Sequence, residues 1–198
     1  MESLIFKRNI YASLTVFVFV FEIAIAFHRY LNGYESSTHQ LNSTILRIGH
    51  VLLFYGVKEF FIDYPRIKKA INIIIVLLVF FALHIWLSSF YDFSYMVLAL
   101  KVMLTIATIV FYVEVFKKDK NEIKIKKHIR PYIVCEVVVL LVVYVLVELF
   151  EPQIKFGNPF VTPQYPPIYF FLSSILIVIP LPFLGYFFFE AAKRNNVF

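Results

Sequence analysis

Residues 44–92 read TILRIGHVLLFYGVKEFFIDYPRIKKAINIIIVLLVFFALHIWLSSFYD, two apolar arms joined by a short basic turn at 63–69. Each arm holds about 20 residues, which at ~1.5 Å of helical rise cover a hydrocarbon core of ~30 Å. The pattern predicts a transmembrane hairpin, and with it an integral membrane protein. His50 lies on the first arm and His84 on the second. Measured from the outer ends of the arms, at Thr44 and Asp92, the two imidazoles fall at nearly the same depth and are expected to meet.

The composition outside the hairpin agrees. Of 198 residues, 61% are hydrophobic and the mean hydropathy is +0.79, against an apolar share of ~45–50% in a soluble globular domain. There are 24 Phe and 13 Tyr but only 5 Gly, few small residues for helices that must slide closely past one another. A rigid bundle is expected rather than a large rocking transporter. The single Cys135 excludes an internal disulfide and a CxxC redox pair. The net charge of +6 sits in short loops between apolar runs, where it orients a chain in a bilayer, so nucleic acid is rejected as a partner.

Six apolar runs predict one all-α domain, a polytopic bundle of six transmembrane helices at 9–28, 44–62, 70–90, 94–116, 131–150 and 167–190. The first run follows Lys7 and Arg8 and ends near Ala24-Ile25-Ala26, which also matches a signal-peptidase site; we read it as a retained span, with cleavage as the alternative. Pro180 and Pro182 predict a kink in the last span. Lys and Arg concentrate at the N-terminus, at 63–69, at 117–130 and at Lys193 and Arg194, while Arg29, Arg47 and Lys155 fall on the other side. This bias predicts cytoplasmic termini in a cell or organelle membrane. The stretch 117–130, the most hydrophilic connection, reads as a solvated loop, with a dock for acidic lipid as the sharper alternative.

Threading the helices gathers polar residues at one level near the non-cytoplasmic face: Glu22, His50, His84, Lys101 and the pair Ser173 and Ser174. Ionisable side chains inside a membrane cost at least ~2.5 kcal/mol to insert and mark candidate sites. Two neutral imidazoles on facing helices suit the axial positions of a b-type haem, with Gly49 leaving room for the porphyrin and Arg47, aided by Arg29, taking the propionates. His50 and His84 with Glu22 equally suit a transition metal in an N,N,O site. The plainer alternatives are an ion pair between Glu22 and Lys101, and histidines hydrogen-bonded between helices, His84 to Ser88 for instance. The stripe Lys101, Thr105, Thr108 and Tyr112 is expected to face the bundle. Lys58, Glu59, Glu114, Glu136 and Glu190 read as interfacial anchors, with Glu136 and Glu148 also able to join that stripe in a proton route.

No GxSG, HExxH, phosphate loop or paired-Asp headgroup motif occurs, so no reaction is read from the sequence. The chemistry of the polar level predicts a membrane subunit of a redox or respiratory-type complex, taking part in electron transport. Its site holds haem, metal or quinone between the second and third helices, and its partners are the bilayer and other membrane subunits. The competing prediction is a non-redox membrane protein, either a solute-binding or transport subunit or a structural assembly subunit.

Overall fold

The structure, a computed structural model, describes residues 2–32, 36–87, 94–117, 124–150 and 167–194. All elements within them are helices: α1 (Glu2–Asn32), α2 (Ser36–Phe60), α3 (Pro65–Leu87), α4 (Ser94–Phe116), α5 (Lys124–Phe150), α6 (Pro167–Val178) and α7 (Leu181–Arg194). Five stretches are long and apolar enough to cross a membrane: Ile5–His28, Pro65–His84, Ala99–Phe116, Ile125–Leu146 and Phe171–Ala191. Their outward faces carry Phe17, Ile106 and Leu141, all exposed, a surface that lipid tolerates and water does not. The chain is a helical membrane protein. The fifth stretch runs through α6 and α7, and α2, which carries Arg47, His50, Lys58 and Glu59, is not among the five.

Four helices start earlier than expected: α1 at Glu2 rather than 9 and α3 at Pro65 rather than 70, besides α2 and α5. α2 begins at Ser36 rather than 44, because the polar segment 36–43 holds no Gly or Pro to stop a helix. α5 begins at Lys124 rather than 131 and carries Pro131 inside it, where the ring supplies no N–H for the carbonyl of Lys127 four residues before. The early start brings Lys126 back over the end of α4, and its Nζ donates to the carbonyls of Glu114 at 3.1 Å and Lys117 at 3.5 Å. A helix end with unmatched carbonyls takes a cation well. Lys126 is thus a buried cap, and the expectation of a wholly solvated loop is corrected there.

The α2–α3 turn is tight. Phe61 N–H donates to Lys58 O (3.1 Å) and Tyr64 N–H to Phe61 O (3.0 Å), and Pro65, preset for a first helical position, starts α3 at once. The expected kink in the last span is a break between α6 and α7. Pro180 has no N–H for the Leu176 carbonyl, which accepts from Ile179 N–H instead at 3.1 Å, while Pro180 O accepts from Phe183 and Leu184.

The rods close into a ring. α1 packs on α2, α2 on α3, α3 on α4 and α4 on α5, and the broken pair α6–α7 lies between α5 and α1. Of these seams, α4–α5 is the shortest. Near the α2–α3 turn the interior is an aromatic block: Phe61 stacks on Phe187 (6.0 Å between ring centroids), Phe60 meets both Phe187 and Phe188, and Tyr11 stacks on Phe188 at 5.3 Å. Gly49 and Gly56 let α1 approach α2, since a Cβ on Gly49 would stand 2.7 Å from a Val18 methyl carbon and one on Gly56 2.6 Å from the Tyr11 ring.

Candidate functional site

Beyond the aromatic block the ring surrounds a cavity of about 190 Å³. Arg47 and His50 of α2, Thr108 of α4, and Tyr132 and Glu136 of α5 give it its polar lining, with Ile74 and Leu78 of α3 and the break at Pro180 among its apolar walls. His50 and Glu136 stand roughly 15 and 18 Å along their helices from Phe60 and Lys124 at ~1.5 Å per residue, a distance about half the ~30 Å thickness of a hydrocarbon core. A broken helix at such a depth is tolerated where it borders a cavity.

On the α2 wall, His50 Nδ1 lies 2.8 Å from the carbonyl oxygen of Leu46. A carbonyl only accepts, so Nδ1 carries the hydrogen and Nε2 is the ring's variable position. Nε2 faces Glu22 Oε1 at 3.6 Å, and Glu22, at 8% exposure, is buried against it from α1. A lone pair facing a bare carboxylate repels it, so this pair holds together best around a shared proton or a bound cation. Arg47, one turn away, lays its guanidinium over the Phe81 ring at 5.5 Å and feels the charge of Glu22. Among the described residues Arg47 forms no salt bridge.

On the α5 wall, the Tyr112 hydroxyl donates to Glu136 Oε2 at 2.5 Å, and Tyr132 lines the cavity beside the same residue. The Tyr112 phenol thus partners Glu136, which leaves Arg47 as the cationic group lining the cavity. The expected link between the α4 stripe and Glu136 is present at Tyr112. Tyr132, one turn before Glu136 on the same face, was missed although its i, i+4 spacing signals it. Glu59 ties the helix ends together, accepting from the Tyr11 hydroxyl and pairing with Lys7 Nζ, both at 3.2 Å.

The residues of the expected polar level fare differently. Glu22 and His50 meet, and Arg47 shares their cavity. Gly49 faces Val18 of α1, so α1 fills the space expected for a flat ligand. His84 is buried on α3 but does not line the cavity. Counted from the tight turn, His50 is level with Ile74 and Ile75, and His84 lies nine or ten residues beyond, ~14 Å at the helical rise. The equal depth followed from starting α2 at 44 and is corrected by its start at Ser36. Lys101 and Thr105 are exposed on α4, so the outer half of that stripe faces away from the bundle. Ser173 and Ser174 are half-buried on α6 and outside the cavity lining. Among the described residues, no three His, Cys, Asp or Glu side chains are grouped to hold a metal ion. Ser88 and the segment 152–166 lie outside the described residues, as do the side chains of Arg29 and Glu148. Comparison with protein-family models, with curated proteins and with solved structures found no match.

Proposed function

We propose that the chain crosses the membrane six times with both termini cytoplasmic, and that its central cavity is a binding site for a small anion, as in a solute-binding or transport subunit. α2 is the sixth span. Its polar groups are borne because α1, α3 and the cavity take them away from lipid. The excess of Lys and Arg at the turn end of the bundle supports the orientation.

The observation that carries the binding reading is Arg47: a guanidinium held in mid-membrane, lining a cavity, with no carboxylate paired to it among the described residues. A planar fork of N–H donors in a low-dielectric cavity takes a carboxylate or phosphate two-handed. The Glu22–His50 pair and Glu136 add groups that exchange protons as the anion arrives or leaves. Calorimetric titration of the purified protein with short carboxylates and phosphate tests it. Saturable binding lost in Arg47→Gln is expected, and equal binding by that variant overturns the reading.

His50 favours a second reading, the redox subunit. Its Nδ1–H is held by a backbone carbonyl, as in metal-ligating histidines, and Nε2 is turned to a carboxylate. A transition metal, or a haem held by further donors, would be found by elemental analysis and a reduced-minus-oxidised spectrum. Absence of both from protein purified without chelators ends this reading.

A further inference from the structure

Leu140 lines the cavity and is also 55% exposed, so at that point one side chain separates the cavity from the outside of the bundle. It lies on the flank of α5 turned towards α4, close in helical angle to Lys126, which reaches the α4 carbonyls. The α4 side of this seam shows the same opening. Tyr112 is bonded to Glu136, Thr108 lines the cavity, and Thr105 and Lys101, further along the same stripe, are exposed. α4 and α5 are therefore joined at Tyr112–Glu136, and beyond it Leu140, Thr105 and Lys101 are left exposed. Both helices flanking the gap belong to apolar stretches of membrane-crossing length, so the gap faces hydrocarbon.

Resting on the reading of Arg47 as an anion-binding group, we propose that the occupant reaches the cavity from the bilayer, between α4 and α5, and is a single-chain amphiphile with a carboxylate head. The head pairs with Arg47. A cavity of about 190 Å³ falls below the ~300–1,000 Å³ that encloses a whole drug-sized ligand, so the acyl chain leaves past Leu140 into lipid. Lys101, exposed at the outer part of the same stripe, places a positive charge where an arriving head passes.

The test uses the intact protein in zwitterionic nanodiscs with a diazirine-bearing C16 fatty acid as probe. Saturable cross-linking is expected, mapped to peptides of α4 and α5, competed by palmitate and not by methyl palmitate. Arg47→Gln should weaken it about 10- to 100-fold, the loss of a charge-assisted pair. Thr105→Trp, at an exposed position outside the cavity lining, should weaken palmitate competition while leaving binding of butyrate unchanged. Cross-linking that does not saturate, or that methyl palmitate competes equally, overturns the proposal in the wild-type protein alone, whatever the variants do. Butyrate competing as well as palmitate, with Arg47 still required, overturns membrane access while the anion site stands. Loss of both ligands in Arg47→Gln with unchanged thermal stability separates a missing charge from a misfolded bundle.

Discussion

Replacing Gly56 by alanine probes the α1–α2 contact with an effect whose sign can be worked out. The new Cβ would lie 2.6–2.8 Å from three Tyr11 ring atoms, so the ring has to move by most of an ångström. It is held on two sides, by stacking on Phe188 at 5.3 Å and by its hydroxyl on Glu59 at 3.2 Å. Overpacking of this kind costs about 1–3 kcal/mol, and a displaced hydroxyl gives up a bond to a carboxylate worth about 1.5–3 kcal/mol. Alanine's helix propensity returns at most ~1 kcal/mol, so a net loss of about 1.5–5 kcal/mol is expected. Gly185 supplies the contrast: there a Cβ meets Thr15 at 3.6 Å, an ordinary contact, and Gly185→Ala should be neutral or stabilising by up to ~1 kcal/mol. Reversible unfolding in mixed micelles with increasing SDS measures both. A double variant with Tyr11→Ala should recover most of the Gly56→Ala loss, as coupled neighbours do. If Gly56→Ala and Gly185→Ala shift stability in the same direction, the close approach of α1 and α2 is refuted.

Further outcomes can be checked separately. Tyr112→Phe removes one donor to Glu136 and should cost about 1.5–3 kcal/mol, read in the same unfolding assay, whereas Thr105→Val on the exposed face should be nearly silent. Lys126→Met should destabilise the α4 end by about 1 kcal/mol, visible as faster amide exchange at 113–117 than in the parent. With Cys135 replaced by Ala, a cysteine introduced at Lys124 should resist an impermeant maleimide in intact cells and react after lysis; strong labelling from outside would invert the topology.

The apolar runs near 70–90 and 94–116 become α3 and α4 with little change because lipid length and apolar composition speak directly through the sequence. What stayed hidden was where α2 begins. A polar segment at 36–43 lengthens it by two turns, and since depth is counted from helix ends, this misaligned His50 with His84. Glu22 with His50 was legible because both are ionisable residues inside otherwise apolar runs. Tyr132 escaped because a tyrosine in such a run is common, and its place in the cavity wall depends on how α5 is rotated. Lys101 misled for the opposite reason: periodicity assigned it a face, but the outer part of that face is left uncovered.

The ring is closed by helices far apart in the chain, α1 against α6 and α7, and this bears on how the protein is made. At a synthesis rate of ~5–20 residues per second, α1 emerges roughly 10–30 s before the helices that cover it. During that interval Thr15 and Val18, buried in the finished bundle, have only α2 and whatever the membrane offers as neighbours. Long-range closure of this kind is slow, so biogenesis favours an insertion machinery that shelters the first helix until the last has been released. A ribosome stalled before residue 167 would leave a chain in which α1 to α5 are present and the bundle is still open.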